Sequence, residues 1–159
     1  MIKAVRHTGV VVRDLEKSVE FYCVLGFIED NRAIEEGDFI DTLVGLQNVK
    51  LEWVKLNAPD GYLLELLQYH SHPKQKEIAK QRSNQLGCSH LAFSVDDIDF
   101  ICEKIEEIGG SIVNLPALTN DKKVKVAYCY DNEGNLMEIV EVLWQVVPYA
   151  ILKIMRLSM

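Results

Sequence analysis

The sequence predicts an α+β fold built from two copies of one strand–helix–meander unit. Three observations predict it. The stretch RHTGVVVRDLEKSVEFYCVLG (6–26) returns in outline as SHLAFSVDDIDFICEKIEEIG (89–109), with His7 answering His90, Asp14 answering Asp97 and Gly26 answering Gly109 at one constant interval. A repeat of this kind constrains a fold more than any single element does. Each stretch first alternates like a strand and then changes to helical spacing. Each copy also closes alike, with the turn PDG before LLELL and the turn NEG before LMEIVE.

The elements follow in chain order. Residues 4–12 alternate as a strand, with Val5, His7, Gly9 and Val11 on one face. Asp14 is the expected N-cap, because its carboxylate can accept from exposed first-turn amides. Leu15, Val19, Tyr22 and Leu25 recur at helical spacing, and Gly26 suits the position after the helix. Residues 27–40 are charged and show no clear period. Val49–Leu56 reads as a strand, Ala58-Pro59-Asp60-Gly61 as a turn, and Tyr62–Tyr69 as the returning strand. Residues 70–86 read as a polar, weakly helical connector (KQKEIAKQR). In the second copy Asp97 caps a helix carrying Ile98, Ile101, Ile105 and Ile108. Ile112–Leu115 opens the meander, Thr119–Lys125 is a basic loop, Val126–Tyr130 a strand, 131–134 a turn and Asn135–Val142 the last strand. One domain, 1–159, is expected: module one 4–69, connector 70–87, module two 88–142 and an apolar extension 143–159. That extension reads as a docking helix, a dimer contact or a loose tail, and Pro148 argues against one unbroken helix.

Composition narrows the function. The chain has 159 residues, 48% of them hydrophobic, and a formal net charge of −7, which argues against nucleic acid as a partner. No secretory leader or membrane span is expected. Cys23, Cys88, Cys102 and Cys129 lack CxxC spacing and read as reduced thiols of a cytoplasmic protein, with disulfides the lesser reading.

The chemistry gathers at four repeat-equivalent positions. His7 and His90 lie on the first strands; Glu65, within LLELL, and Glu138, within LMEIV, lie on the last. Those last strands are apolar on both faces and so read as buried on both. A carboxylate placed there needs a cation or hydrogen-bond donors. Each histidine shares its face with a small residue, Gly9 or Ala92, while bulky Val10, Val12, Leu91, Phe93 and Val95 take the other face. Imidazole and carboxylate without thiolate suit a divalent metal ion, with Mn, Ni, Co, Zn, Fe and Mg as candidates. His70 and His72 read as loop residues and Glu141 as a solvated strand end. Lys122, Lys123 and Lys125 read as a solvated loop, with contact to a substrate anion the lesser reading.

Taken together, HTGVVVRDLEKSVEFYCVLGF, GYLLELLQY, SHLAFSVDDID and DNEGNLMEIVE resemble the vicinal-oxygen-chelate superfamily, over residues 4 to about 142. Glyoxalase I, methylmalonyl-CoA epimerase, extradiol dioxygenases and the fosfomycin and bleomycin resistance proteins belong to it. The resemblance implies two βαβββ modules in tandem, forming a curled mixed sheet around a central metal cavity. It implies His7, Glu65, His90 and Glu138 as metal ligands, leaving two open places for a substrate with adjacent oxygens. It also implies Glu138 as a base, with Glu52 as a weaker second base that reads equally well as a solvated strand residue.

The reaction expected is proton transfer next to a carbonyl through a metal-stabilised enolate, as in a glyoxalase-type lyase or an epimerase. The alternatives are an extradiol-type dioxygenase and a non-catalytic small-molecule-binding or resistance protein. The first uses two histidines and one carboxylate, and the second lacks a full ligand set, so the quartet counts against both. A small-molecule substrate and a homodimer are the expected partners.

Overall fold

The computed structural model describes residues 1–72 and 80–143. The weakly helical reading of the connector falls largely on 73–79 and the readings of the tail on 144–159, both outside the described residues.

Module one runs β1 (Thr8–Val11), α1 (Leu15–Val24), β2 (Ile28–Glu36), α2 (Asp38–Val44), β3 (Lys50–Asn57) and β4 (Leu63–Tyr69). Module two runs β5 (Leu91–Val95), α3 (Ile98–Glu107), β6 (Ser111–Ile112), β7 (Ala117–Leu118), β8 (Val124–Tyr130) and β9 (Leu136–Val142). The sheets share one topology: β1-β4-β3-β2 in module one and β5-β9-β8-β6 in module two, with β7 paired to β8. In each, the first strand lies parallel to the last, and the strand after the helix takes the far edge. The α+β class and the duplicated βαβββ unit are therefore what the structure shows.

Local chemistry explains the matching helices. The Asp14 carboxylate accepts from the Lys17 amide at 3.2 Å, and the Asp97 carboxylate from the Phe100 amide at 3.0 Å. Gly26 and Gly109 then take φ of 101° and 94°, left-handed values that cost glycine little, and the chain turns back. A third device lies outside the helices. The first helical amide of α1, on Leu15, donates to Gln68 Oε1 at 2.8 Å, and that of α3, on Ile98, donates to Glu141 Oε2 at 3.1 Å. Glu141 is thus a helix anchor rather than a solvated strand end.

The core lies between the sheets, on their helix-covered faces. Phe21, Tyr22, Val54, Leu56, Leu64 and Leu66 from module one join Ile98, Ile105, Ala127, Met137 and Ile139 from module two in one buried cluster. Leu64 and Leu66 are fully buried, each contributing about 1.5–3 kcal/mol by removal from water. Phe27 and Phe93 meet edge to face across the seam, centroids 5.8 Å apart. The turn before β9 docks on the start of α1: Arg13 pairs with Glu133 at 2.7 Å, and Asn132 donates to Ser18 Oγ at 3.2 Å. All four cysteines are free, Cys102 and Cys129 buried.

The stretch without a clear period takes a definite form, and one expectation is corrected. The charged stretch after α1 forms β2, almost wholly exposed, and then α2. And β4 is not buried on both faces within one chain: Leu64 and Leu66 are buried, while Leu63, Glu65 and Leu67 on the other face are only partly covered. The helix α2 packs Ile40 against Leu51 and closes one end of that second face, beside Trp53 and Leu67.

Candidate metal centre and active site

The sheet register brings each histidine to its glutamate. Gly9 stands opposite Glu65 and Ala92 opposite Glu138, so His7 and His90, two residues earlier, lie diagonally beside those carboxylates. His7 Nε2 lies 3.2 Å from Glu65 Oε2, and His90 Nε2 lies 3.3 Å from Glu138 Oε2. Gly9 keeps the hollow open: a Cβ there would lie 3.1 Å from Leu67 Cδ1 and 3.8 Å from Glu65 Oε2.

Both pairs lie on the sheet faces turned away from the core. The Glu65 side chain is 14% exposed and that of Glu138 is 25%. The structure therefore brings the quartet together two by two, not four at once. Among the described residues no three His, Cys, Asp or Glu side chains converge as a metal-binding group. A central cavity shared by all four does not form inside a single chain. The physical reason is that the common core draws the helix-covered faces together, which leaves the two histidine-bearing faces pointing outward.

The surroundings of the two pairs differ. Opposite Glu65 on β3 stands Lys55, its Nζ 3.6 Å from Glu65 Oε1 and 4.4 Å above the Trp53 ring. Opposite Glu138 on β8 stands Tyr128, whose ring meets that of His90 edge to face at 5.3 Å. Burial, and then the charge of Glu138, push the Tyr128 phenol above its ordinary 10.0, so it stays protonated. Ser89 Oγ lies 2.6 Å from His90 Nδ1 and orients that ring, whereas His7 Nδ1 is buried without a hydrogen-bond partner. Sequence reasoning passed over Lys55, Tyr128 and Ser89. The repeat could have found the first two, since both face a candidate ligand across the ladder.

Other candidates lie elsewhere. Glu52 alternates with Val54 and Leu56 onto the α1 side of the sheet, opposite to Glu65, and is held by His70 Nε2 at 2.8 Å and Arg32 at 3.7 Å. The pleat thus turns it away from the site, which removes it as a second base, and it binds His70 instead of lying solvated. Lys125 pairs with Asp99 of α3. A cleft of about 470 Å³ opens at the seam between modules, lined by Leu25, Phe27, Tyr62, Phe93, Ile101 and Ile139 among others. None of the four candidate ligands lines it. Among the described residues no helix is long and apolar enough to cross a membrane.

Comparison with known proteins matches the family model of the glyoxalase/bleomycin resistance protein/dioxygenase superfamily to residues 4–139. The chain belongs to that superfamily. It is 28% identical over 141 residues to a probable lactoylglutathione lyase of Synechocystis sp., covering 85% of this chain and 92% of that one. It is also 28% identical over 148 residues to a lactoylglutathione lyase of Pseudomonas putida, covering 85% and 83%. A glyoxalase family protein of Bacillus cereus shares the fold with a TM-score of 0.82 at 24% identity, covering 90% and 96%. A fosfomycin resistance protein of Listeria monocytogenes, solved as a variant with manganese(II), aligns with a TM-score of 0.59 at 16% identity, covering 87% and 90%. The ion in that neighbour, manganese(II), is a divalent one.

The donor set fits such an ion. Two ligands held at right angles, each about 2.1 Å from a metal, lie about 3.0 Å apart. The two pair separations, 3.2 and 3.3 Å, are close to this spacing.

Proposed function

We propose that the chain is a metal-dependent lyase or isomerase of the glyoxalase type, moving a proton next to a carbonyl group. The repeat-matched histidine–glutamate pairs carry this reading, because their spacing suits two neighbouring ligands of one ion. The lyases named among its relatives support it.

Each chain offers two half-centres on opposite faces, so a complete set of four donors needs a second copy. His7 and Glu65 of one chain would face His90 and Glu138 of another, in a two-fold pair with two equal centres. Exposed Val11, which shares its face of β1 with Gly9 beside Glu65, supports such covering.

When bound, the divalent ion supplies positive charge to a carbonyl oxygen. The chain supplies the rest. Glu65 already has a cationic neighbour in Lys55, while Glu138 has no Lys or Arg within ion-pair distance among the described residues. Glu138 is therefore the carboxylate free to take a proton from the carbon beside the carbonyl and return it to that carbon or the next. Tyr128 stays protonated beside it as a donor. Solvent deuterium should enter the α-carbon of a hemithioacetal or a 2-substituted acyl-CoA when metal-loaded protein is present. No exchange across such a panel would overturn the reaction assigned here.

A further inference from the structure

The two histidines differ in what their second ring nitrogen meets. A neutral imidazole that binds an ion through Nε2 carries its proton on Nδ1, and that N–H then needs an acceptor. In module two an acceptor is present: Ser89 Oγ lies 2.6 Å from His90 Nδ1. In module one His7 Nδ1 is buried without a hydrogen-bond partner. The residue before His7, which takes the place of Ser89 in the repeat, is the exposed Arg6.

The segment that carries the hydroxyl is itself held. The Gln81 side-chain amide donates to the Cys88 carbonyl. The Gln81 backbone amide donates to the Gly134 carbonyl at 3.2 Å, and the Gln81 carbonyl accepts from the Tyr130 hydroxyl at 3.0 Å. The lead-in to Ser89 is thus tied to the end of β8 and to the turn before β9. The His90 ring is then bounded on three sides, by Ser89 at Nδ1, by the edge-to-face ring of Tyr128, and by Glu138 at 3.3 Å from Nε2. We infer that Ser89 is a positioning residue of the centre. By accepting from Nδ1–H it leaves His90 Nε2 bare, beside the carboxylate that would share the ion. A hydroxyl suits the task because it accepts as readily as it donates, so the contact survives whichever nitrogen holds the proton before the ion arrives. The inference rests on the metal-dependent reading above and makes its two halves unequal: the module-two histidine is prepared for an ion and the module-one histidine is not.

The test uses the full chain, zinc(II) alone as the probe, and two readouts. Zinc affinity is measured by competition with a chelator, and the ring nitrogens of nitrogen-15-labelled histidine are followed by NMR. Zinc-loaded wild type should show the His90 proton on Nδ1. Ser89→Ala should bind zinc about 10–100-fold more weakly, the usual loss when a ligand's supporting partner is removed. Ser89→Thr, which keeps the hydroxyl, should restore most of the affinity, and Arg6→Ala should leave it unchanged. If Ser89→Ala binds zinc as wild type does, if alanine and threonine weaken it alike, or if Arg6→Ala weakens it as much, the hydroxyl does not position His90. A His90 proton on Nε2 in the zinc-loaded protein would overturn the inference as well. In each of these cases the proposed reaction stands without it. If wild-type protein takes up no divalent metal at all, the reading it rests on fails, and this inference fails with it.

Discussion

Tyr22 donates a 2.8 Å hydrogen bond to Asp131 inside the core, joining a helix of module one to a turn of module two. Asp131 is 3% exposed and accepts as well from the amides of Glu133 and Asn135 and from the Asn135 side chain. Its carboxylate therefore has donors on several sides, as a buried charge requires. The bond ties the two halves to each other through the core.

Tyr22→Phe should lower stability by about 1–3 kcal/mol, since Asp131 loses a donor it cannot replace with water. Denaturant unfolding should show one transition at a lower midpoint. The pH dependence has a definite sign. Desolvation first, then the charge of Asp131, hold the Tyr22 phenol well above its ordinary 10.0, and burial pushes the Cys129 thiol up from 9.0 to about 12. Both groups keep their protons in the folded chain at pH values where the unfolded chain has lost them. Their contribution is complete below about pH 9 and falls as pH rises, by up to about 1.4 kcal/mol per pH unit for each group. Tyr22→Phe should flatten the part of that decline above pH 10.

His7→Ala and His90→Ala should each leave the fold intact and weaken metal binding by about 100-fold or more, as removal of a ligand costs at least as much as removal of a ligand's support. Metal content by elemental analysis checks this. The two variants should also complement each other. After unfolding and refolding together, mixed pairs would hold one centre with both ligands intact, and activity should recover to about a quarter of wild type. No recovery would show that the centre is not shared between chains.

Glu138→Gln should retain much of the metal site and lose the base. Deuterium exchange into substrate should fall by about 10²–10⁴-fold, the usual worth of a positioned proton acceptor. Glu65→Gln should cost clearly less in exchange at saturating metal, because Glu65 is assigned to holding the ion and not to moving the proton.

Gly110→Ala should be the most damaging glycine substitution of those closely packed. A Cβ there would come within 2.5 Å of Ile105 Cγ2 and 2.6 Å of the Tyr130 carbonyl oxygen, and the second atom is backbone. A loss of about 1–3 kcal/mol or more is expected from overpacking. Gly9→Ala, tight only against the end of the Leu67 side chain, should cost less. Thermal melts of the two variants side by side check the order.

Much of this molecule was legible in the repeat. The constant interval linking His7 to His90, Asp14 to Asp97 and Gly26 to Gly109, with Glu65 and Glu138 matched within LLELL and LMEIV, indicated the duplicated unit and singled out the pairs that the register then brought into contact. Elements without a one-sided environment were not legible. Strand β2 is exposed along nearly its whole length, so no alternation marked it. The roles of Gln68 and Glu141 escaped because each reaches a helix amide far away in sequence. The division of the site escaped for a different reason. A period of two says which residues share a face, but not whether the cover for that face comes from the same chain. Glu52 went astray through the same pleat: three positions from Lys55, it faces the other way.

Because each module holds one imidazole and one carboxylate at the same register, two identical modules pairing with each other would already bring together two of each. A forebear of half this length could thus have assembled the full donor set by self-association. Two such units joined in one chain are free to differ, and the positions facing the two carboxylates, lysine in one and tyrosine in the other, are one place where they do.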